Sequence, residues 1–400
     1  MRAFNPTAPA RDAIEAGLVC EDLQRFLFRN LAGRADLEPG SQQLLVGGIG
    51  SGKTTELLLA ERWLRAQGNV LPLYIDISAE TDLSSLNSGS LLASFGMHLA
   101  WRLYDDFHVR TEVNERTEKL KEIYKKVDEY AYGKHVNRRV DPLEVGRVLT
   151  GMPYYVTEKV PGKLKPPLPV LLRDIREIRP PLEEFLTVAR EVHKDILVIF
   201  DGLDRLLDAT KFWSVVSQDL RLFREFKVSV LMTAPLSVLF GVGIGQSVSD
   251  HFDKVHHLAV VAADPEGGTL RSVLEKRGGL ELLTPADADS ICHYSGGVLR
   301  DLIALARDAA EEAYVSDRDS VTAADVEKVV RQLGTGYLRG LGAKVIKTLL
   351  DLEGSKSFRV DQPANVELLL TRRVLEYSST DFRVHPALLS VIPRPEPKRA

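Results

Sequence analysis

The sequence predicts an α/β fold: a parallel sheet carrying a phosphate-binding loop, then a helical lid, then a small C-terminal module of helices and a hairpin. Three observations predict it. The stretch "GGIGSGKT" (47–54) joins a short apolar run to an amphipathic helix. Two further apolar runs, "ILVIF" and "VSVLM", lead into polar residues at Asp201 and Thr233, as buried parallel strands do where their C-terminal ends carry chemistry. Beyond residue 266 apolar side chains recur at helical spacing instead.

With 400 residues the chain exceeds what one hydrophobic core usually organises, so several units are expected. A hydrophobic share of 44% and a charged share of 27% are ordinary for globular proteins and exclude a disordered or fibrous class. The net charge of −4 selects no partner, so charge has to be read by segment. Cys20 and Cys292 stand far apart without metal-ligand spacing, which fits a reducing, cytoplasmic compartment. Acidic residues precede any apolar run long enough for a secretory leader. The uncharged stretch from Val228 to Ser249 has the length of a membrane span, but Pro235, its glycines and its hydroxyl residues suit lipid poorly. No membrane span is expected.

Residues 1–40 read as a helical lead-in closing on the turn "EPGS". A core is expected over 41–265. "QQLLVGG" is its first strand, and the loop that follows comprises Gly47, Gly48, Ile49, Gly50, Ser51 and Gly52. Its glycines let successive backbone amides curl toward phosphate oxygens, assisted by the positive end of the next helix. Lys53 is expected to reach the β and γ phosphates, and Thr54 to place its hydroxyl on Mg²⁺; Thr55 continues the helix. "LPLYIDI" (71–77) is the second strand. A long insertion follows at about 108–180, with the charged amphipathic helix "ERTEKLKEIYKKVDEYAYGKH" and the proline-rich "VPGKLKPPLPV". Its interleaved tyrosines and lysines suit single-stranded nucleic acid or a plain solvated helix face.

"DILVIFDGLDRL" places Asp201 at the end of a buried strand as a carboxylate for the magnesium ion. Gly202 stands where a glutamate often follows such an aspartate. Asp204 is the next acid able to act on the γ-phosphate side, or else the cap of a helix starting there. Thr233 either contacts the γ-phosphate or the attacking water, or merely ends its strand before Pro235. The glycines of "LFGVGIGQ" lack the strand and helix a dinucleotide fingerprint needs. Leu239, Phe240, Val242 and Ile244 there would be adhesive if exposed, or else pack against the lid. A lid is expected over 266–335, with helix caps at Thr284 and Thr322; the lone His293 suggests no metal.

On "GGIGSGKT", "IFDGLDRL", "LMTAP" and "YSGGVLRDLIALARDAAEEA" the chain resembles the AAA+ and STAND P-loop ATPases, and is similar to bacterial Orc1/Cdc6-like ATPases. The resemblance implies an ASCE-type P-loop core binding ATP and Mg²⁺, and a lid whose Arg300 senses the γ-phosphate. Read without the family, Arg300 is a residue of the first turn of "VLRDLIALARDAA" or a surface charge beside Asp301. "DGLDR" looks like the STAND version of the acidic motif, and ahead of the fifth strand only Lys254 offers itself as an arginine-finger substitute. Both departures imply slow hydrolysis and a switch more than a motor.

Residues 336–400 resemble a winged helix: helices "AKVIKTLLDL" and "PANVELLLTRR", then wing strands "VLEYSST" and "DFRVH". From Tyr337 to Ala400 there are 11 Lys or Arg against 7 Asp or Glu, so the module is mildly basic and permits duplex DNA. Arg372, Arg373 and Arg383 are its candidates for phosphate contacts, while Glu367 and Leu368 to Leu370 leave base readout without a carrier. The expectation is a DNA-associated ATP switch capable of nucleotide-dependent self-association. Its rival is a signalling or defence ATPase whose winged helix contacts a partner protein. A small-molecule kinase would leave the lid and winged helix without a role.

Overall fold

The computed structural model of the chain describes residues 4–5, 9–107, 115–132, 174–240, 244–262, 268–278, 281–355, 357–360 and 363–393. Its centre is a five-stranded sheet of β1 (Gln42–Gly47), β2 (Val70–Asp76), β3 (Asp195–Asp201), β4 (Ser229–Ala234) and β5 (Lys254–Leu258). The order is β2-β3-β4-β1-β5 and every pairing is parallel, so all C-terminal ends share one edge. The expected α/β core is therefore present, with β4 between the loop-bearing β1 and the aspartate-bearing β3.

Parallel strands covered on both faces need apolar residues at nearly every position, and the alternation of side chains then deals them to two cores. Leu44, Val46, Val198, Phe200, Val230 and Met232 face one core, under helices Ser90–Asp106, Arg179–Ala189 and Ala209–Glu225. Leu45, Leu197, Ile199 and Leu231 face the other, under Leu27–Leu37 and Lys53–Gln67. Each fully buried side chain of this kind contributes about 1.5–3 kcal/mol.

The described part of the insertion is a helix, Glu115–Tyr132. Leu120, Ile123, Tyr124, Val127, Tyr130 and Ala131 repeat at helical spacing and are buried in the first core. This corrects the nucleic-acid reading of its tyrosines: Tyr124 and Tyr130 are core residues, and only the charged face meets solvent. The proline-rich stretch lies outside the described residues. Leu239 and Phe240 pack against the same core, while Val242 and the Ile244 side chain lie outside the description.

Four helices, Gly268–Lys276, Pro285–Tyr294, Leu299–Val315 and Ala323–Leu338, form a separate apolar cluster. Thr284 accepts from the Asp287 amide, and Thr322 forms a capping box with Asp325. Phe4 and Cys20 of the lead-in join this cluster. After it come helices Ala343–Ser355 and Pro363–Leu370 and the antiparallel hairpin of β6 (Val374–Ser378) and β7 (Asp381–Val384). This C-terminal module does not form a core of its own: Leu349, Leu368, Val374, Phe382 and Leu388 belong to the cluster beneath the central sheet. Among the described residues no helix is long and apolar enough to cross a membrane.

Candidate functional site

β1 ends at Gly47 and the next helix begins at Lys53, so the loop crosses the C-terminal edge of the sheet. Gly50 and Gly52 adopt φ of +81° and +101°, and the lid presses on both. A Cβ on Gly50 would stand 3.0 Å from Val298 and Arg300, and one on Gly52 would stand 3.1 Å from Leu299. Glycine here therefore provides both the left-handed backbone and the close approach of the lid helix.

Lys53 is buried. Its Nζ donates to the carbonyls of Gly47 and Gly48, at 2.9 Å each, and pairs with Asp204 Oδ2 at 2.9 Å. An ammonium has three protons, and three acceptors use them. Asp204 therefore belongs to the loop lysine. The cap reading of Asp204 is corrected, because the helix begins only at Ala209 and Asp208 caps it by accepting from the Thr210 amide.

Asp201 is buried at the end of β3. It accepts from the Tyr74 hydroxyl at 2.8 Å, from the Gly202 amide at 2.7 Å and from the Thr54 hydroxyl. Burial first, then the charges of Asp204 and Asp76, push its carboxyl up from the ordinary aspartate range, against the pull of the Thr54 and Tyr74 hydrogen bonds. A divalent cation would relieve that crowding. Thr54 and Asp201, already in contact, are oxygen ligands of the type Mg²⁺ takes. Buried polar atoms rarely lack partners, yet Thr233 Oγ1 at the end of β4 and Ser51 Oγ in the loop are buried without one among the described residues. Two orphaned hydroxyls beside a glycine cradle fit a phosphate chain.

Arg300 is the second residue of helix Leu299–Val315 and keeps contact with solvent. Partial desolvation, then Arg372 and Arg205 nearby, lower its affinity for its proton; Asp301 and Asp204 oppose them. The guanidinium stays charged, and with the Arg300 Cβ against Gly50 it brings positive charge to the loop, while Lys53 and Arg372 are paired with Asp204 and Asp301. Lys254 lies elsewhere: it opens β5 opposite Gln43, at the end of the sheet away from the loop. His293 is exposed on the lid, and among the described residues no cluster of three metal-ligating side chains occurs.

The three C-terminal arginines expected to meet phosphates are engaged within the protein. Arg372 Nη1 binds Asp301 Oδ1 at 2.7 Å, and the same carboxylate receives Tyr337 Oη at 2.5 Å and His385 Nε2 at 3.3 Å. Burial alone would raise the Asp301 carboxyl, but the His385 hydrogen bond and Arg372 hold it below the aspartate range. Arg373 donates to the carbonyls of Tyr337 and Arg339, and Arg383 pairs with Asp381 over the Tyr377 ring. The hairpin itself lies on the lid and on β5: Tyr377 Oη donates to Gly296 O, the Val260 amide to Glu376 O, and His257 pairs with Glu376.

The sequence reading missed Tyr74, Asp76, Arg205 and the Asp301 hub. Tyr74 and Asp76 were detectable in principle, since they alternate onto one face of a strand that ends in a carboxylate.

No family model and no curated protein matches the chain. Among solved structures it is similar to the ORC2 protein of Aeropyrum pernix in its ADPNP–ADP complexes, with 16% identity, 96% of this chain and 93% of that chain covered, and a TM-score of 0.44. It is also similar to the ORC1 protein of Aeropyrum pernix in complex with DNA, with 16% identity, 97% and 93% covered, and a TM-score of 0.44. A third likeness is the RuvB Holliday junction branch migration motor of Thermotoga maritima, with 12% identity, 92% of each chain covered and a TM-score of 0.39. At such identities and scores these are distant likenesses, and the loop, the strand order and the facing acids describe the site on their own.

Proposed function

We propose that the chain is an ATP-dependent conformational switch of the AAA+/STAND kind, which binds Mg-ATP and hydrolyses it slowly. The observation that carries this reading is the position of Arg300, whose Cβ lies against the phosphate loop while the next residue, Asp301, is the anchor of the C-terminal module. A ligand shifts a conformational equilibrium only through contacts that differ between the two states. A γ-phosphate held by Lys53, Thr233 and Arg300 would make such contacts in the closed lid, and ADP would lack them. Thr54 and Asp201 would hold the magnesium ion, and the amides of residues 47–55 the phosphates.

Duplex DNA is the proposed partner of an open form in which Arg372, Arg373 and Arg383 are released. The pairing of Arg372 with Asp301 and of Arg373 with the carbonyls of Tyr337 and Arg339 favours, for the closed form, the second reading, a winged-helix module that serves as a protein contact; Arg383 is exposed and pairs with Asp381 of its own hairpin. Nucleotide-dependent self-association is compatible with either. Anisotropy of labelled duplex DNA in Mg-ATP and in Mg-ADP, titrated with salt, tests this. Tighter binding in ATP that weakens steeply with salt supports the DNA reading. Absence of binding at low salt in both nucleotides sinks it and leaves the protein contact.

A further inference from the structure

Asp76 ends β2 directly across from Asp201, its register partner. Two residues earlier on the same strand face, Tyr74 reaches the Asp201 carboxylate, so this face of β2 is turned toward the acidic end of β3. Asp76 Oδ1 accepts from Ser78 Oγ at 2.6 Å and from the Ala79 amide at 3.3 Å, capping the turn Ile77–Glu80. Its Oδ2 accepts no hydrogen bond from the described residues.

Hydrolysis needs a group that orients the attacking water, and the customary glutamate after the strand aspartate is replaced by Gly202. The structure explains why. Gly202 has φ of +83°, and a Cβ there would lie 2.8 Å from Asp76 Oδ1 and 2.7 Å from Ser78 Cβ. The space of the missing side chain is taken by Ser78 and by Oδ1 of Asp76, whose carboxylate enters from the neighbouring strand. Asp204, on the loop side, pairs with Lys53 at 2.9 Å.

We propose that Asp76 orients the attacking water. This rests on the ATPase reading above. Oδ2 accepts a hydrogen bond from the water, whose oxygen bonds to the γ-phosphorus as the bond from that phosphorus to the ADP oxygen breaks and leaves its electron pair on ADP. The water proton leaves past the carboxylate to solvent, so the products are ADP, inorganic phosphate and a proton.

The test is single-turnover hydrolysis of γ-labelled ATP with Mg²⁺ and excess full-length protein, alongside titration with a fluorescent ATP analogue and thermal melts. Asp76→Asn keeps the capping oxygen and removes the carboxylate. It is expected to slow hydrolysis by about 100-fold or more with unchanged nucleotide affinity and melting temperature. Ser78→Ala, which disturbs the cap and keeps the carboxylate, is expected to turn over at a rate near wild type. Wild-type hydrolysis by Asp76→Asn, with Lys53→Ala inactive, overturns the role of Asp76 and leaves the ATPase reading intact. Loss of binding or a lowered melting temperature in Asp76→Asn shows a purely structural role and overturns it too. A wild-type protein no faster than Lys53→Ala sinks the ATPase reading, and Asp76 with it.

Discussion

Lys53 neutralises Asp204 while facing the position a phosphate chain would take, so its removal has two effects. Lys53→Ala is expected to weaken ATP binding by roughly 10- to 100-fold, the value of one charge-assisted contact. It also leaves Asp204 without its cation, so a small loss of stability in urea denaturation should accompany the loss of binding. Glu56 offers a pH test. It is buried on the loop helix, accepts from the Phe28 amide, and burial pushes its carboxyl up to about 7. The folded chain keeps a proton that the unfolded chain loses near pH 4.5, so this contribution is present at low pH and lost as pH rises through about 7. Urea midpoints of the wild type are expected to fall across that window, and those of Glu56→Gln to fall less. At this scale the loop was legible because its residues are contiguous. The Tyr74–Asp201 contact was not, because 127 residues separate the partners and only strand pairing brings them together.

The segment from Asp201 to Asp208 shows how an element can be read correctly in composition and wrongly in register. Two aspartates four residues apart are equally good helix caps in sequence, and only the demand of Lys53 for an anion separates them. Gly202 makes the turn between Asp201 and Asp204. Gly202→Ala is expected to cost about 1 kcal/mol or more from its left-handed backbone, with a further penalty from the crowding by Asp76 and Ser78. A urea midpoint equal to wild type would contradict this. The insertion helix offers a second lesson. Its period was plain, but its charges outnumber its apolar residues, so the stripe from Leu120 to Ala131 that faces inward was legible only once a neighbour existed to cover it. The sheet edge was readable because parallel strands buried on both faces permit little but apolar residues.

For the molecule as a whole, Asp301 joins the lid to the C-terminal module, receiving Arg372, Tyr337 and His385 one residue from Arg300. Asp301→Ala leaves a fully buried histidine and a half-buried arginine without their anion. It is expected to destabilise by roughly 3 kcal/mol, by analogy with broken buried ion pairs. Proteolysis after residue 338 should quicken and the difference between ATP and ADP affinity should shrink. Equal cleavage rates and an unchanged affinity difference would show that Asp301 transmits nothing. The docking of this module was not legible, because a winged-helix pattern specifies helices and a hairpin and says nothing of what they lie against. Leu368 and Leu369 of the second helix are buried in the same apolar cluster as the strands. That shared core has an evolutionary consequence. A recombination event near residue 340 would divide one hydrophobic core between two parents, and the hybrid would inherit mismatched halves. Central sheet and C-terminal module are thus heritable only together, and selection on one must be recorded in the other.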